Sequence, residues 1–212
     1  MKAILMVSAL LSTATYAQTT TLTFDADAVD QPPSGWTCGA TGTGTPRWSV
    51  KADPTAPSGA KVLRQSGAAT FPWCVKNEVV MPDGVVEVKF KPVGGRRDQA
   101  GGVVWRWKDS DNYYVARANA LEGNVSLYYM LDGSRRTIMY KDAPVAPHQW
   151  HTLRVVFNGS AIEVWLDGTR YIELQDTHIS GAGQVGVWTK ADSMTLFDEF
   201  GYSASNRSAS FE

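Results

Sequence analysis

The chain has 212 residues, with 20 Lys and Arg against 21 Asp and Glu. A balance this close to neutral leaves no electrostatic footprint for nucleic acid. The length suits one domain of the all-β sandwich type, and eight Trp with eight Tyr suit both β-strands and stacking on sugar rings.

In chain order, the first element is an export signal over residues 1–17. Lys2 is its charged start, residues 3–11 are apolar, and Thr15-Tyr16-Ala17 is a small-residue cleavage site. The apolar run is too short to span a membrane, and no other run approaches that length. The mature protein is therefore expected to be soluble, monomeric, and secreted or periplasmic. Cys38 and Cys74 both follow the signal, and two cysteines in an exported chain are most simply a disulfide. Residues 18–203 form the domain, and the Ser-rich 204–212 a frayed tail.

Strands are expected at 22–24, 47–50, 61–65, 75–80, 85–92, 102–107, 113–119 and 124–131. Further strands follow at 136–140, 151–157, 161–166, 169–174, 184–189 and 195–202. The Gly-, Pro-, Thr- and Asp-rich stretch 25–60 reads as long loops around the short strand at 47–50. No window keeps a helical period. Asn158-Gly159 is a strong hairpin turn signal. Placed at the centre of the turn, it sets Val155 opposite Ile162, Leu153 opposite Val164, and Arg154 opposite Glu163. A four-residue loop at 120–123 joins a second hairpin. One of its faces carries Tyr114, Ala116, Ala118, Val125, Leu127 and Tyr129. The other carries Tyr113, Val115, Arg117, Asn119, Asn124, Ser126 and Tyr128, a mixture unlike an ordinary solvated face.

Several runs resemble the concanavalin A-like lectin/glucanase superfamily. They are Asp98 through Trp107, Asp111 through Arg117, Trp150 through Arg154, Trp165-Leu166-Asp167-Gly168, Gly186 through Ser193, and Phe197 through Phe200. Within it the chain looks most like laminin-G-like modules and the 3-keto-disaccharide hydrolase domain family. The resemblance implies an all-β, two-sheet antiparallel jelly-roll sandwich. It leaves activity open, because this fold hosts lectins, adhesion modules, lyases and hydrolases. The Glu-x-Asp-x-x-Glu strand of the laminarinase-type glucanases is missing, and with it the close carboxylate pair of a retaining mechanism.

Candidate sites follow from the face pattern and the resemblance together. Arg106 alternates with Trp105 and Trp107 and so should point away from both. With Tyr113, Arg117, Asn119 and Tyr128 it could line the concave face, where this superfamily usually binds glycans; alternatively Arg117 braces a carboxylate or stacks on a tyrosine. Trp188, beside Lys190, is either an exposed sugar platform or a cover for the core edge. The loop holding Asp98 and Gln99 could close over a ligand or serve as a simple connection. Asp25, Asp27 and Asp198 match positions that would hold a structural calcium joining the first and last strands. No cofactor is expected beyond that ion. These features suggest an exported carbohydrate-binding domain. The alternatives are a glycoside hydrolase using Asp98, Arg117, Asp192 or Glu199, and a structural or interaction module of the cell envelope.

Overall fold

The computed structural model describes residues 15–16 and 18–206. Most of the expected export signal, and the tail from 207, lie outside the described residues. Sixteen strands follow in chain order: β1 (Thr15–Tyr16), β2 (Thr20–Leu22), β3 (Trp36–Thr45), β4 (Trp48–Ala52), β5 (Lys61–Gln65) and β6 (Ala68–Met81). Next come β7 (Gly84–Gly94), β8 (Ala100–Asp109), β9 (Asn112–Asn119), β10 (Asn124–Leu131) and β11 (Ser134–Asp142). The last are β12 (His151–Asn158), β13 (Ala161–Leu166), β14 (Thr169–Gln175), β15 (Gly183–Trp188) and β16 (Met194–Asn206). No helix occurs among the described residues. Strand β16 runs past the expected domain end at 203, and Ala204 pairs with Gly84 of β7.

The strands form two antiparallel sheets. Sheet I has the order β14-β13-β12-β7-β16-β5-β4, with β1 and β2 also pairing with β16. Sheet II has the order β11-β10-β9-β8-β15-β6-β3. This is the two-sheet jelly-roll sandwich expected from the sequence. Between the sheets lie Phe90, Trp105, Tyr114, Leu127, Val155, Phe157, Phe197 and Phe200, all within one buried cluster. Trp105 stacks on Tyr114 at 5.2 Å between ring centroids. Gly101 of β8 lets the Phe90 ring approach the backbone, and a Cβ there would collide with that ring. Gly101→Ala is expected to lower stability by about 1–3 kcal/mol through overpacking. Chemical denaturation checks this, and an unchanged midpoint would contradict it.

The β9–β10 hairpin has the predicted register, with Asn124 opposite Asn119 and Tyr129 opposite Tyr114. The β12–β13 hairpin is shifted by two residues. Val155 lies opposite Val164, Phe157 opposite Ile162, and Asn158 opposite Ala161. The two-residue loop is therefore Gly159-Ser160, with a positive φ of 57° at Gly159. A shift of two preserves the faces, so Leu153, Val155, Ile162 and Val164 all reach the core. Arg154 consequently meets Glu87 of β7 at 3.6 Å, and Glu163 meets Arg170 at 3.5 Å. The cause is a tertiary clasp: the Gly159 amide donates to Asp83 (2.6 Å) and its carbonyl accepts from Arg106 (2.6 Å).

Strand β3 was not expected. It occupies the edge of sheet II inside the stretch that reads as loop. Cys38 on β3 stands directly opposite Cys74 on β6, and the two form the expected disulfide. Gly39 makes room for Trp73, whose ring would lie 2.8 Å from a Cβ at that position.

Candidate binding face

Sheet II turns a second apolar cluster away from the core. It contains Trp73, Val75, Val104, Tyr113, Val115, Tyr128, Met130 and Trp188, with Phe71 and Trp107 packed against it. The strand alternation that sends Tyr114 and Leu127 inward sends Tyr113, Arg117 and Tyr128 to this face. One end of the face is closed. The Thr41 hydroxyl of β3 hydrogen-bonds the Ser110 carbonyl in the β8–β9 turn and lies 2.8 Å from the Tyr113 hydroxyl. Burial pushes the Tyr113 hydroxyl pKa up to about 12, so it serves here as a neutral hydrogen-bonding group.

The other end is open, and a column of alternating cations and rings crosses it. Arg117 lies over Tyr128 (5.5 Å), Arg135 over the same ring (4.3 Å), and Arg135 also over Phe71 (4.8 Å). Phe71 stacks on Trp188 at 5.7 Å with an interplanar angle of 19°. A cavity of about 480 Å³ opens on one side of Arg135. Thr43, Thr70, Phe71, Arg97, Lys190 and Asp192 contribute to its walls. A second, of about 420 Å³, lies between Glu122, Asn124, Ser126, Tyr128, Thr137 and Tyr140.

Beneath the column is a charge network. Asp98 is fully buried and accepts from Arg117 (3.2 Å), Asn119 (2.8 Å) and Lys190 (2.7 Å). Arg117 also pairs with Glu122, and Lys190 reaches Glu122 at 3.5 Å. Burial works to raise the Glu122 carboxyl, but the Asn124 amide, Arg117 and Lys190 outweigh it and hold the group below the usual carboxylate range. Asp192 is likewise held low: burial opposes the shift, and the amides of Arg96, Arg97 and Asp98 overcome it. Both carboxylates are therefore ionised at neutral pH and already engaged.

Of the sequence candidates, Tyr113, Arg117, Asn119, Tyr128, Lys190 and Asp98 do gather on one face. Several are too buried to touch a ligand: Asn119 has no exposed surface and Arg117 has 2 %. Trp188 lies on the expected face, but Phe71 covers it, and it supports the column from behind instead of forming an exposed platform. Gln99 sits beside the network and donates to the Gly95 carbonyl (3.1 Å).

Arg106 is not on this face. Its φ is +47°, and the β8–β9 ladder is irregular between Trp105 and Asp109. The break in alternation sends Trp105 to the core and Trp107 to the opposite side, against Trp73 at 5.1 Å. Arg106 turns to the end of the sandwich, where it binds Asp83 and the carbonyls of Pro82, Ile179 and Gly159. Glu199 belongs to sheet I and pairs with Lys89 at 2.8 Å.

The residues expected to hold a structural calcium have protein partners in this structure. Asp25 accepts from the amides of Ala60 (2.8 Å) and Lys61 (3.1 Å), Asp27 from the Ser34 amide (2.8 Å), and Asp198 from the Ser58 amide and hydroxyl (2.9 Å each). The Lys61 ammonium donates to the carbonyls of Asp25 (2.8 Å) and Asp27 (2.7 Å). Calcium needs six to eight oxygens; here the Lys61 ammonium and backbone donors engage several of those the three aspartates offer. Among the described residues, no group of three or more His, Cys, Asp or Glu gathers for a metal ion.

Sequence reasoning missed Phe71 and Arg135, which complete the column. Arg135 was within reach of the register argument. Asp132-Gly133 is a hairpin turn signal, and both residues have positive φ. Extending the ladder one strand sets Arg135 opposite Met130, on the same face as Tyr128.

The fold, two antiparallel sheets packed as a jelly-roll sandwich, recurs among solved structures. No protein-family model matches the chain, and no curated protein matches it in sequence. Among solved structures, the chain is similar to the carbohydrate-binding module CBM66 from Bacillus subtilis, with a TM-score of 0.63 and 21 % identity over 78 % of this chain and 93 % of that one. It is also similar to a Bacillus subtilis protein of unknown function with a galectin-like fold, at TM-score 0.62 and 12 % identity over 91 % of this chain and 100 % of that one. A third similarity is to the exoplasmic/lumenal domain of VIP36 bound to Ca²⁺ and Man3GlcNAc, at TM-score 0.55 and 11 % identity over 79 % of this chain and 83 % of that one. At these identities the likeness is one of fold.

Proposed function

We propose that this is an exported, non-catalytic carbohydrate-binding domain that holds glycan in the open clefts on the outer face of sheet II. The observation that carries this reading is the Phe71–Arg135–Tyr128 column, which separates two clefts lined by hydroxyl, amide and aromatic groups. Sugar recognition calls for flat apolar surfaces beside converging hydrogen-bonding groups, and the partly or fully exposed Phe71 and Tyr140 stand beside the exposed Thr43, Thr70 and Thr137. The similarity in fold to the carbohydrate-binding module CBM66 and to glycan-bound VIP36 supports the ligand class. The disulfide supports an oxidising compartment outside the cytoplasm.

The charge network favours binding over hydrolysis. A glycosidase needs one carboxyl kept protonated near neutral pH as general acid, whereas Glu122 and Asp192 are both held low and Asp98 is enclosed by three donors. The clefts also weigh against a purely structural module, although Arg106 and Arg117 are both committed to internal ion pairs.

A glycan array followed by titration calorimetry tests the proposal. Binding is expected, and Tyr140→Ala, at a ring that is 59 % exposed, should weaken it about 5- to 50-fold through loss of a stacking surface. A folded protein that binds no member of a broad panel of neutral and acidic glycans would overturn the reading.

A further inference from the structure

The clefts differ from a general sugar site in one respect. Arg135 is held between two rings, yet none of its nitrogens makes a hydrogen bond or ion pair among the described residues, and Nη1 is buried without a partner. Burial works against its charged form, yet a guanidinium does not give up its proton in proteins. The nearby carboxylates favour its charge only from a distance and make no direct contact with it: Asp98 and Glu122 are taken by Arg117 and Lys190, and Asp192 by the amides of 96–98. Arg97, on the rim of the same cavity, is exposed and has no side-chain partner among the described residues. Four cations, Arg97, Arg117, Arg135 and Lys190, thus face three carboxylates, and the uncompensated charge sits at the cleft.

We propose that the ligand of this face is an acidic sugar, a uronic acid whose carboxylate is taken by Arg135, with Arg97 at the rim. The rings hold the guanidinium plane in place, so its free edge is pre-oriented for a planar, two-point contact with a carboxylate. Thr43 and Thr70, on the walls of the same cavity, suit the ring hydroxyls. This inference rests on the carbohydrate-binding reading and specifies its substrate class.

The test compares tetragalacturonate with its methyl ester, which keeps the rings and removes the charge, by titration calorimetry. The acid is expected to bind at least about tenfold more tightly than the ester, and high salt should weaken the acid alone. Arg135→Gln should erase the preference, and Arg97→Gln should reduce it in part. Circular dichroism and melting establish that each variant is folded. If Arg135→Gln does not fold, the ester comparison on the unaltered protein and Arg97→Gln carry the test. Equal binding of acid and ester, or binding only of neutral glycans, would overturn the inference and leave the carbohydrate reading standing. Failure of every glycan to bind would overturn both.

Discussion

Asp98→Ala is expected to destabilise the domain by about 3–5 kcal/mol, more than any other single change on the candidate face. Asp98 has no exposed surface and compensates Arg117, of which 2 % is exposed. Removing one member of a buried pair leaves a charge without solvent or counterion. Glu122 offsets the loss only in part, because its side chain is 39 % exposed. Lys190→Gln, which removes a half-buried partner of the same carboxylate, should cost no more than about 1 kcal/mol. Urea denaturation of the two variants provides the comparison. A loss below about 1 kcal/mol in Asp98→Ala would mean that the network does not hold Arg117 as described.

Reduction of the disulfide should cost nearly as much. Cys38 and Cys74 are 36 residues apart, and a cross-link closing a loop of that length contributes about 3–4 kcal/mol on the loop-entropy model. It also fixes β3, an edge strand with Gly39, Gly42 and Gly44 that has weak strand propensity of its own. The double variant Cys38→Ser, Cys74→Ser should therefore lower the denaturation midpoint and loosen the Thr41–Tyr113 contact that closes one end of the face. Equal midpoints for the oxidised and fully reduced protein, with reduction verified by thiol titration, would contradict this.

The sheet pattern was legible wherever local chemistry set it. Alternation and a four-residue loop were enough to register β9 against β10, and thereby to separate Tyr114 and Leu127 from Arg117 and Tyr128. The faces of β12 and β13 were equally clear from periodicity. Their register was not, because Asp83 and Arg106, both far from Asn158 in sequence, bind Gly159 and move the turn by one residue. Arg106 itself was misplaced because a single positive φ breaks the alternation on which the assignment relied. Strand β3 was hidden by glycines that look like loop but serve close packing, Gly39 beneath Trp73, Gly42 against Thr70 and Gly44 against Ala69. The mixed polar and aromatic face of β9 and β10 was recognisable by its composition, whereas the burial of Arg117, Asn119 and Trp188 follows from neighbours contributed by other strands. Phe71, beside Pro72 in a stretch with no clean alternation, carried no local signal, and only the tertiary stack on Trp188 and Arg135 shows its place.

Backbone-amide chemical-shift mapping tests most directly where ligand binds. A second groove, of about 510 Å³, lies on the outer face of sheet I among Glu87, Thr152, Arg154, Val156, Glu163 and Trp165, so the two faces can be told apart. On titration with a glycan identified by array, the perturbed amides should cluster around Phe71, Arg97, Tyr128, Arg135 and Tyr140. Perturbations centred on Arg154 and Trp165, with the sheet II face unchanged, would place the ligand on sheet I and contradict binding on sheet II.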